Sequence, residues 1–172
     1  MRLSGITAES LVDGPGLRYV IFTQGCHHHC PECHNKESWG DEGGREFSVK
    51  QIVSMIKKQK KNPDDKKIQG ITFSGGEPFL QAAELAQVAL AAHQIGWDVV
   101  AYSGYTFEEI TELARNDDVI FAFINECDIL IDGKYIHEKR NMGLTFCGSS
   151  NQRVIDMDKT RKKNKITLWK NV

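Results

Sequence analysis

Apolar runs rich in β-branched residues recur along the chain, and each is typical of a buried strand. Five such runs occur: LRYVIFTQG from Leu17, IQGITFSGG from Ile68, WDVVAYSG from Trp97, DILIDG from Asp128 and QRVIDM from Gln152. Runs of this length and composition, bounded by Gly, Asn, Asp or Ser, favour strands over helices. We therefore predict five strands from Leu17 onward.

Between these strands the apolar residues change to a helical spacing. One stripe follows Ser48, the expected N-cap, and a capping box of Thr106 and Glu109 precedes another. The stripes are Val49, Ile52, Val53 and Ile56; Leu85, Val88, Ala89 and Ala92; and Ile110, Leu113 and Ala114. The predicted order from Leu17 to Gly133 is therefore β, α, β, α, β, α, β.

This alternation predicts an α/β fold with a parallel sheet and right-handed crossovers, either open or curled into part of a barrel. The segment VIFAFINE from Val119 fits a short helix or a strand, and we favour a helix capped by Asp118. The segment YIHEKRNMGLTFCGSSN from Tyr135 is predicted to be a long loop.

Size and composition predict one domain covering residues 1–172. Its 172 residues are 40% hydrophobic and 26% charged, which is ordinary for a globular protein. No apolar run reaches the length of a bilayer span, and MRLSGITAES lacks the apolar region of a secretory signal. We expect a cytoplasmic protein.

The last fifteen residues, 158–172, are a separate basic feature. They carry six Lys or Arg residues and one acid, in a chain whose net charge is −1. No aromatic residues alternate with the basic ones in the way that nucleic-acid binding would require, so we expect a solvated tail that need not be rigid.

The unusual residues of the sequence follow the predicted strands. QGC, SGGEP, YSGY and IDGKY each stand at the C-terminal end of a different strand. Parallel α/β folds assemble their sites at this end of the sheet. Residues that are distant in sequence are therefore expected to meet in one pocket.

Three cysteines and four histidines occupy the nine positions of CHHHCPECH, from Cys26 to His34. The other two cysteines, Cys127 and Cys147, stand apart, so a metal site in a reducing compartment is favoured over disulfides. Zinc would take a fourth ligand, from His34 or from the histidines at 27–29. A four-iron cluster held by three cysteines instead leaves one iron open to a small molecule, and we favour this interpretation. The histidines at 27–29 are then expected to be exposed.

The cysteine spacing, with TFSGGEP after the next strand, resembles the radical S-adenosylmethionine superfamily. More narrowly, DGPGLR, GCHHHCPECHNKESW, TFSGGEPFLQ, DILIDGKY and GSSNQRVID together resemble the anaerobic ribonucleoside-triphosphate reductase activating proteins. The similarity extends from about Gly5 to Asp156, so it covers most of the chain.

The resemblance implies a partial (βα) barrel with a [4Fe–4S] cluster on Cys26, Cys30 and Cys33. S-adenosyl-L-methionine would bind the open iron, and its reductive cleavage would yield a 5′-deoxyadenosyl radical that takes a hydrogen from a glycine of the reductase large subunit. A reductant protein such as flavodoxin would be a second partner, with no nucleic acid or membrane involved. The alternatives are an activator of another glycyl-radical enzyme, such as pyruvate formate-lyase, and a non-catalytic zinc-binding module.

The resemblance also suggests six cofactor contacts. Glu77 would accept from the cofactor ammonium, Ser103 would bind the ribose or carboxylate, and a basic side chain would pair with the carboxylate. Each position has an alternative role in a turn or on the surface. The candidates are Gly75, Gly76, Glu77, Ser103, Lys134 and Arg153. Asp13 and Arg18 of DGPGLR are expected to be structural or to face the partner.

Overall fold

A computed structural model describes residues 1–62 and 67–170, and these residues contain an open sheet of seven strands. The strands are β1 (Arg2–Ser10), β2 (Arg18–Thr23), β3 (Arg45–Glu46), β4 (Gly70–Gly75), β5 (Asp98–Tyr102), β6 (Ile129–Asp132) and β7 (Arg153–Asp156). Their order across the sheet is β3-β1-β2-β4-β5-β6-β7. The four central strands, β2, β4, β5 and β6, are parallel, which confirms the predicted α/β class.

Helices connect the parallel strands, as the alternating pattern predicts. They are α1 (Val49–Lys60), α2 (Ala82–Gln94), α3 (Phe107–Ala114) and α4 (Asp118–Glu126), and a further helix, α5 (Met157–Lys163), follows β7. Short 3₁₀ turns cover Lys36–Ser38, Pro78–Gln81 and His137–Lys139. Among the described residues, none of the helices has the length and apolar character needed to cross a bilayer.

The predicted helix starts are largely confirmed. Ser48 caps α1 and Thr106 caps α3, each in a capping box with the residue three positions later. The segment from Val119 is a helix, as predicted, but Asp118 is not its cap. The carboxylate of Asp117 instead accepts from the amides of Val119 (2.9 Å) and Ile120 (3.2 Å), so α4 begins one residue earlier.

One face of the sheet packs against the helices. Alternate residues of the strands enter this core, where they contact the apolar stripes of the helices. The helix side chains include Ile52 and Ile56 of α1, Leu85 and Val88 of α2, and Phe123 of α4. The residues of α1 and α2 are those whose spacing predicted helices, so the periodicity located this part of the core, whereas Phe123 lies in the segment whose pattern was ambiguous.

The opposite face of the sheet is covered by loops. Val100, Ile129 and Ile131 pack there against Phe146, from the loop between β6 and β7, and against Trp169. With helices on one face and loops on the other, the sheet has the layering of part of a barrel wall, but it does not close.

The sheet is more mixed than the sequence predicts. Strands β1 and β3 were not predicted, because β1 buries only Leu3 and its exposed positions lack a clean alternation. Strand β7, which lies outside the predicted alternation from Leu17 to Gly133, pairs antiparallel with β6. The physical reason is that a loop rather than a crossover helix joins β6 to β7, and parallel neighbours need a crossover.

Arg18 is a structural residue at the N-terminal ends of the parallel strands. Its guanidinium is fully buried and donates to Thr72 Oγ1 (3.1 Å), to the carbonyl of Ile71 (2.7 Å) and to Asp98. Burial lowers the pKa of Arg18, and the charge of Asp98 opposes that shift. The hydroxyl of Thr72 in turn donates to the carbonyl of Asp13 (2.8 Å), which ties DGPGLR to the sheet.

The basic tail is folded along the residues that the structure describes. Helix α5 buries Met157 and Thr160, Leu168 bridges to Ile155, and the amide of Trp169 donates to the carbonyl of Val154 (2.9 Å). The basic side chains of α5 are exposed, as a solvated surface requires, but the backbone up to residue 170 belongs to the fold. Residues 171 and 172 of the predicted tail lie outside the described residues.

Candidate functional site

The C-terminal ends of the parallel strands lie side by side. Thr23 at the end of β2 pairs with Gly75 at the end of β4, and β5 and β6 continue the same edge. The segments QGC, SGGEP, YSGY and IDGKY therefore lie at one edge of the sheet, as the sequence predicts.

The cysteine loop, residues 24–35, leaves this edge directly after β2. Cys26, Cys30 and Cys33 are half-buried, free thiols. The loop turns tightly, because His29 (φ 47°) and Glu32 (φ 54°) both adopt left-handed backbone conformations. Strained residues of this kind are typical of functional loops.

Backbone amides lie near the three sulfur atoms. The amide of Asn35 donates to Cys33 (N···Sγ 3.4 Å). The amides of His28 and His29 near Cys26, and of Tyr135 near Cys30, favour the thiolate form of these two residues. Burial raises the pKa of the Cys26 and Cys30 thiols, and these amides oppose that rise because they stabilise the thiolate form.

This donor set suits an iron–sulfur cluster. Clusters bind cysteine thiolates, and their properties depend on hydrogen bonds to sulfur. Within residues 1–62 and 67–170, no three His, Cys, Asp or Glu side chains converge on a position for a single metal ion. The ligands of a four-iron cluster do not share one ion, because each binds a different iron atom.

Gly75 and Gly76 allow two backbone segments to approach closely. The amide of Gly76 donates to the carbonyl of Thr23 (2.8 Å), and the amide of Glu77 donates to that of Gly25 (2.8 Å). A Cβ on Gly76 would overlap the carbonyl oxygen of Gly25, and Gly75 has φ 95°. The double glycine therefore fixes the start of the cysteine loop against the end of β4.

Glu77 is fully buried and accepts hydrogen bonds from four groups. They are the amide of Phe79 (3.0 Å), the hydroxyl of Ser103 (3.0 and 3.1 Å), the amide of Gly104 (2.8 Å) and Nε2 of His28 (2.7 Å). The structure therefore brings Glu77 and Ser103 together, as expected of one pocket. A cofactor ammonium would reach this carboxylate only by displacing one of the four donors.

The two basic candidates differ in their surroundings. Lys134 is exposed beyond β6, and its charge lowers the pKa of Cys30. Arg153 is bound between two carboxylates: it donates to Asp132 (Nε···Oδ1 3.0 Å) and to Glu108 (3.0 and 2.6 Å). Hydrogen bonds to Asp132 and Glu108 raise the pKa of Arg153. The cofactor roles of both residues stay predictions.

Comparison with known proteins identifies the family. The 4Fe–4S single cluster domain model matches residues 12–155. An anaerobic ribonucleoside-triphosphate reductase-activating protein of Salmonella typhi is 31% identical over 159 residues, which cover 88% of this chain and 96% of that protein. The chain belongs to this activating-protein family. The Escherichia coli K12 member is 31% identical over 150 residues, which cover 83% of this chain and 90% of that protein.

The chain covers a smaller share of a second kind of relative. The pyruvate formate-lyase-activating enzyme of Clostridium pasteurianum is 32% identical over 128 residues, which cover 74% of this chain and 53% of that enzyme. The chain therefore spans about half of this relative, but nearly the whole length of the activating-protein family members.

Sequence reasoning missed several residues that this family member places beside the cysteines. The side chain of His28 is buried, contrary to expectation, and Tyr105 contacts it, whereas His27 and His29 are exposed as predicted. Tyr135 supplies an amide to Cys30 and lines a cleft of about 450 Å³ with His34, Phe146 and Cys147. Main-chain donors and loop packing leave no residue-type signal, so only the fold could reveal them.

A larger cleft of about 1190 Å³ lies elsewhere, between α1 and the strands β1 and β2. It is lined by apolar residues such as Ile6 and Val53 and by four lysines of the α1 region, and it contains none of the candidate site residues. The chemistry of the thiols, rather than cavity size, therefore locates the site.

Proposed function

We propose that the chain is a radical S-adenosylmethionine enzyme that generates a glycyl radical on anaerobic ribonucleoside-triphosphate reductase. One observation carries the proposal: three free thiols with main-chain N–H donors lie at the C-terminal ends of the parallel strands, in a member of the activating-protein family. Cys26, Cys30 and Cys33 would hold the [4Fe–4S] cluster.

A cluster held by these cysteines would supply the electron for cleavage of S-adenosyl-L-methionine into methionine and a 5′-deoxyadenosyl group, and that group would take a hydrogen atom from a glycine of the reductase and leave as 5′-deoxyadenosine. The chain's own residues would hold the cluster and orient the cofactor. The amides of His28, His29, Tyr135 and Asn35 stabilise the thiolates, and Gly76 keeps the cysteine loop against β4. The half-buried positions of the three cysteines limit the access of water to their sulfur atoms.

For the cofactor we propose the wall formed by Gly75, Gly76 and Ser103, together with the cleft beside Tyr135. Its volume of about 450 Å³ lies in the range of small-molecule sites. Of the two basic candidates, Lys134 is exposed and Arg153 is ion-paired, so we assign the pairing with the cofactor carboxylate to Lys134. Glu77 and Arg153 would contact the cofactor only after exchanging a present partner.

The partner follows from the names of the relatives. The Salmonella typhi and Escherichia coli proteins are named as activators of the anaerobic reductase, and the chain covers at least 90% of each. An activator of pyruvate formate-lyase is the second candidate, supported by the Clostridium pasteurianum match, but the 53% coverage of that enzyme disfavours it. Each cleavage consumes one electron, so we also propose a reductant protein such as flavodoxin.

The test starts with anaerobic reconstitution using iron and sulfide. The protein, a reductant and S-adenosyl-L-methionine are then mixed with anaerobic reductase or, in a parallel sample, with pyruvate formate-lyase. We expect 5′-deoxyadenosine and a glycyl-radical signal in electron paramagnetic resonance spectra with the reductase, and neither with the Cys26→Ala variant.

Other results would redirect the assignment. A radical formed only on pyruvate formate-lyase would make that enzyme the partner in place of the reductase. A colourless protein that binds one zinc ion and cleaves no cofactor would support the zinc-module alternative and overturn the proposed function.

A further inference from the structure

His28 is the one residue of the cysteine loop whose side chain enters the buried network at the end of β4. Its imidazole is 4% exposed, and Nε2 lies 2.7 Å from the fully buried Oε2 of Glu77. Because an ionised carboxylate only accepts hydrogen bonds, His28 is the donor. A side chain midway between Cys26 and Cys30 is thus anchored to another strand end.

The surroundings of His28 are shaped for its ring. The imidazole packs edge-on against Tyr105, with ring centres 4.6 Å apart, and a Cβ on Gly104 would overlap it. The neighbouring His27 makes a second contact, because its Nε2 lies 2.7 Å from the hydroxyl of Tyr105. Two consecutive histidines therefore attach the cysteine loop to the segment after β5.

Glu77 is itself held by rigid elements. Its other donors are the amide of Phe79 in the turn after β4 and the hydroxyl of Ser103 and amide of Gly104 after β5. These bonds fix the carboxylate independently of the cysteine loop. By donating to this fixed carboxylate, His28 holds the cysteine loop in place.

We propose that the His28–Glu77 pair positions the cysteine loop for the cluster, with His28 as a positioning residue and not a metal ligand. The inference rests on the proposed function only for the identity of the group that the loop receives. A loop that is ordered before the cluster arrives loses less conformational entropy on binding. Removing His28 also leaves a buried carboxylate without one of its donors, which is costly.

An alternative role for this pair is competition between His28 and the cofactor for Glu77. If the cofactor ammonium must take the place of His28 at Glu77, then removing the imidazole should tighten cofactor binding. If His28 positions the loop, its removal should loosen the loop and weaken the hold on the cluster. The two roles predict opposite changes.

The first measurement uses the cluster-free protein, so it does not depend on the proposed function. Hydrogen–deuterium exchange of residues 24–35 is compared in His28→Ala, His28→Gln and Lys36→Ala. We expect exchange at least about tenfold faster in His28→Ala, from the loss of a hydrogen bond to a charged group. His28→Gln keeps an N–H donor and should stay close to the original protein. Lys36 borders the loop and forms an exposed pair with Glu32 (3.4 Å), so Lys36→Ala is the matched control for the loss of a surface contact.

The second measurement follows the reconstituted protein by the rate of iron release to a chelator and by S-adenosyl-L-methionine affinity. We expect iron release to be about tenfold faster in His28→Ala only, with unchanged exchange in β4 and β5 showing that the variant is folded. Unchanged loop exchange, or tighter cofactor binding in His28→Ala, would overturn the inference. Failure of the original protein to cleave the cofactor would instead remove the proposed function and leave the exchange result standing.

Discussion

The two ends of the parallel strands hold polar groups of different kinds. At the N-terminal end, Arg18 is paired with Asp98, and His93 is bound between Glu126 (2.9 Å) and Asp128 (2.9 Å). At the C-terminal end, by contrast, the three sulfur atoms receive main-chain N–H groups.

The difference indicates that the N-terminal end of the strands contributes to stability and the C-terminal end to metal binding. Opposite charges on helices and strands complement one another, so the N-terminal end contributes to folding. N–H dipoles around thiols favour thiolates, which are the form that binds metal. Substitutions at the first end should therefore lower the free energy of unfolding, and substitutions at the second should remove the cluster.

The largest effect is expected for the three clustered cysteines. Replacing Cys26, Cys30 or Cys33 with Ala should abolish a stable cluster, because the remaining two thiolates do not hold it. The measurement is iron and sulfide content after anaerobic reconstitution.

The remaining cysteines are the controls. Cys127 is fully buried and donates to the carbonyl of Phe123 (3.3 Å), and Cys147 is half-buried. The Cys127→Ala and Cys147→Ala variants should keep the cluster. Loss of iron in either of them would contradict the assignment of the ligands.

Arg18→Ala should be the most destabilising change at the other end, by about 3 kcal/mol, because it removes a buried guanidinium and leaves its acceptors without a donor. Urea unfolding measures the loss. The control is Arg115→Ala, which breaks an exposed pair with Glu112 and should cost less than about 1 kcal/mol. Equal losses in the two variants would show that the buried network adds no stability.

Gly76→Ala sharpens the comparison because it should lower both the stability of the fold and the binding of the cluster. The new Cβ overlaps the carbonyl oxygen of Gly25, so we expect a loss of about 1–3 kcal/mol and a lower iron content. Gly40→Ala is the matched control, since no atom lies within 4 Å of its added Cβ. Full iron content in Gly76→Ala would mean that the close approach to β4 does not position the loop.

The smallest effect concerns His93 and its pH dependence. Burial alone would lower the pKa of His93, but hydrogen bonds and charges from Asp128 and Glu126 outweigh it, so the pKa is raised. The stability from this cluster is then fully present below the unfolded-state pKa of about 6.5 and is lost as the pH rises through the raised folded value.

His93→Gln removes that titration. The stability difference between the original protein and His93→Gln should be largest near pH 6 and should shrink above about pH 6.5, in urea unfolding at several pH values. A difference that grows with pH would mean that neutral His93 is the stabilising form.

The sequence predicted the parts of the fold that follow from periodicity and from local chemistry. The parallel strands, the helices between them, the N-cap at Ser48 and the capping box at Thr106 were all predictable. Strand β1 and the direction of β7 were not, because edge strands bury few side chains and pairing direction depends on long-range contacts.

The site shows the same division. The cysteine spacing indicated the cluster, and the strand ends indicated the pocket. The burial of His28 and the amide of Tyr135 depend on how distant loops pack, which no local pattern encodes. The same packing pairs Arg153 with two carboxylates, although its position in the sequence suggests a cofactor contact.

The central claim is that three cysteines hold a four-iron cluster whose remaining iron binds the cofactor. Mössbauer spectra of ⁵⁷Fe-reconstituted protein, recorded with and without S-adenosyl-L-methionine, test it directly. The account predicts one iron site that differs from the other three and shifts when the cofactor is added. Four iron sites that are unchanged by the cofactor would contradict it.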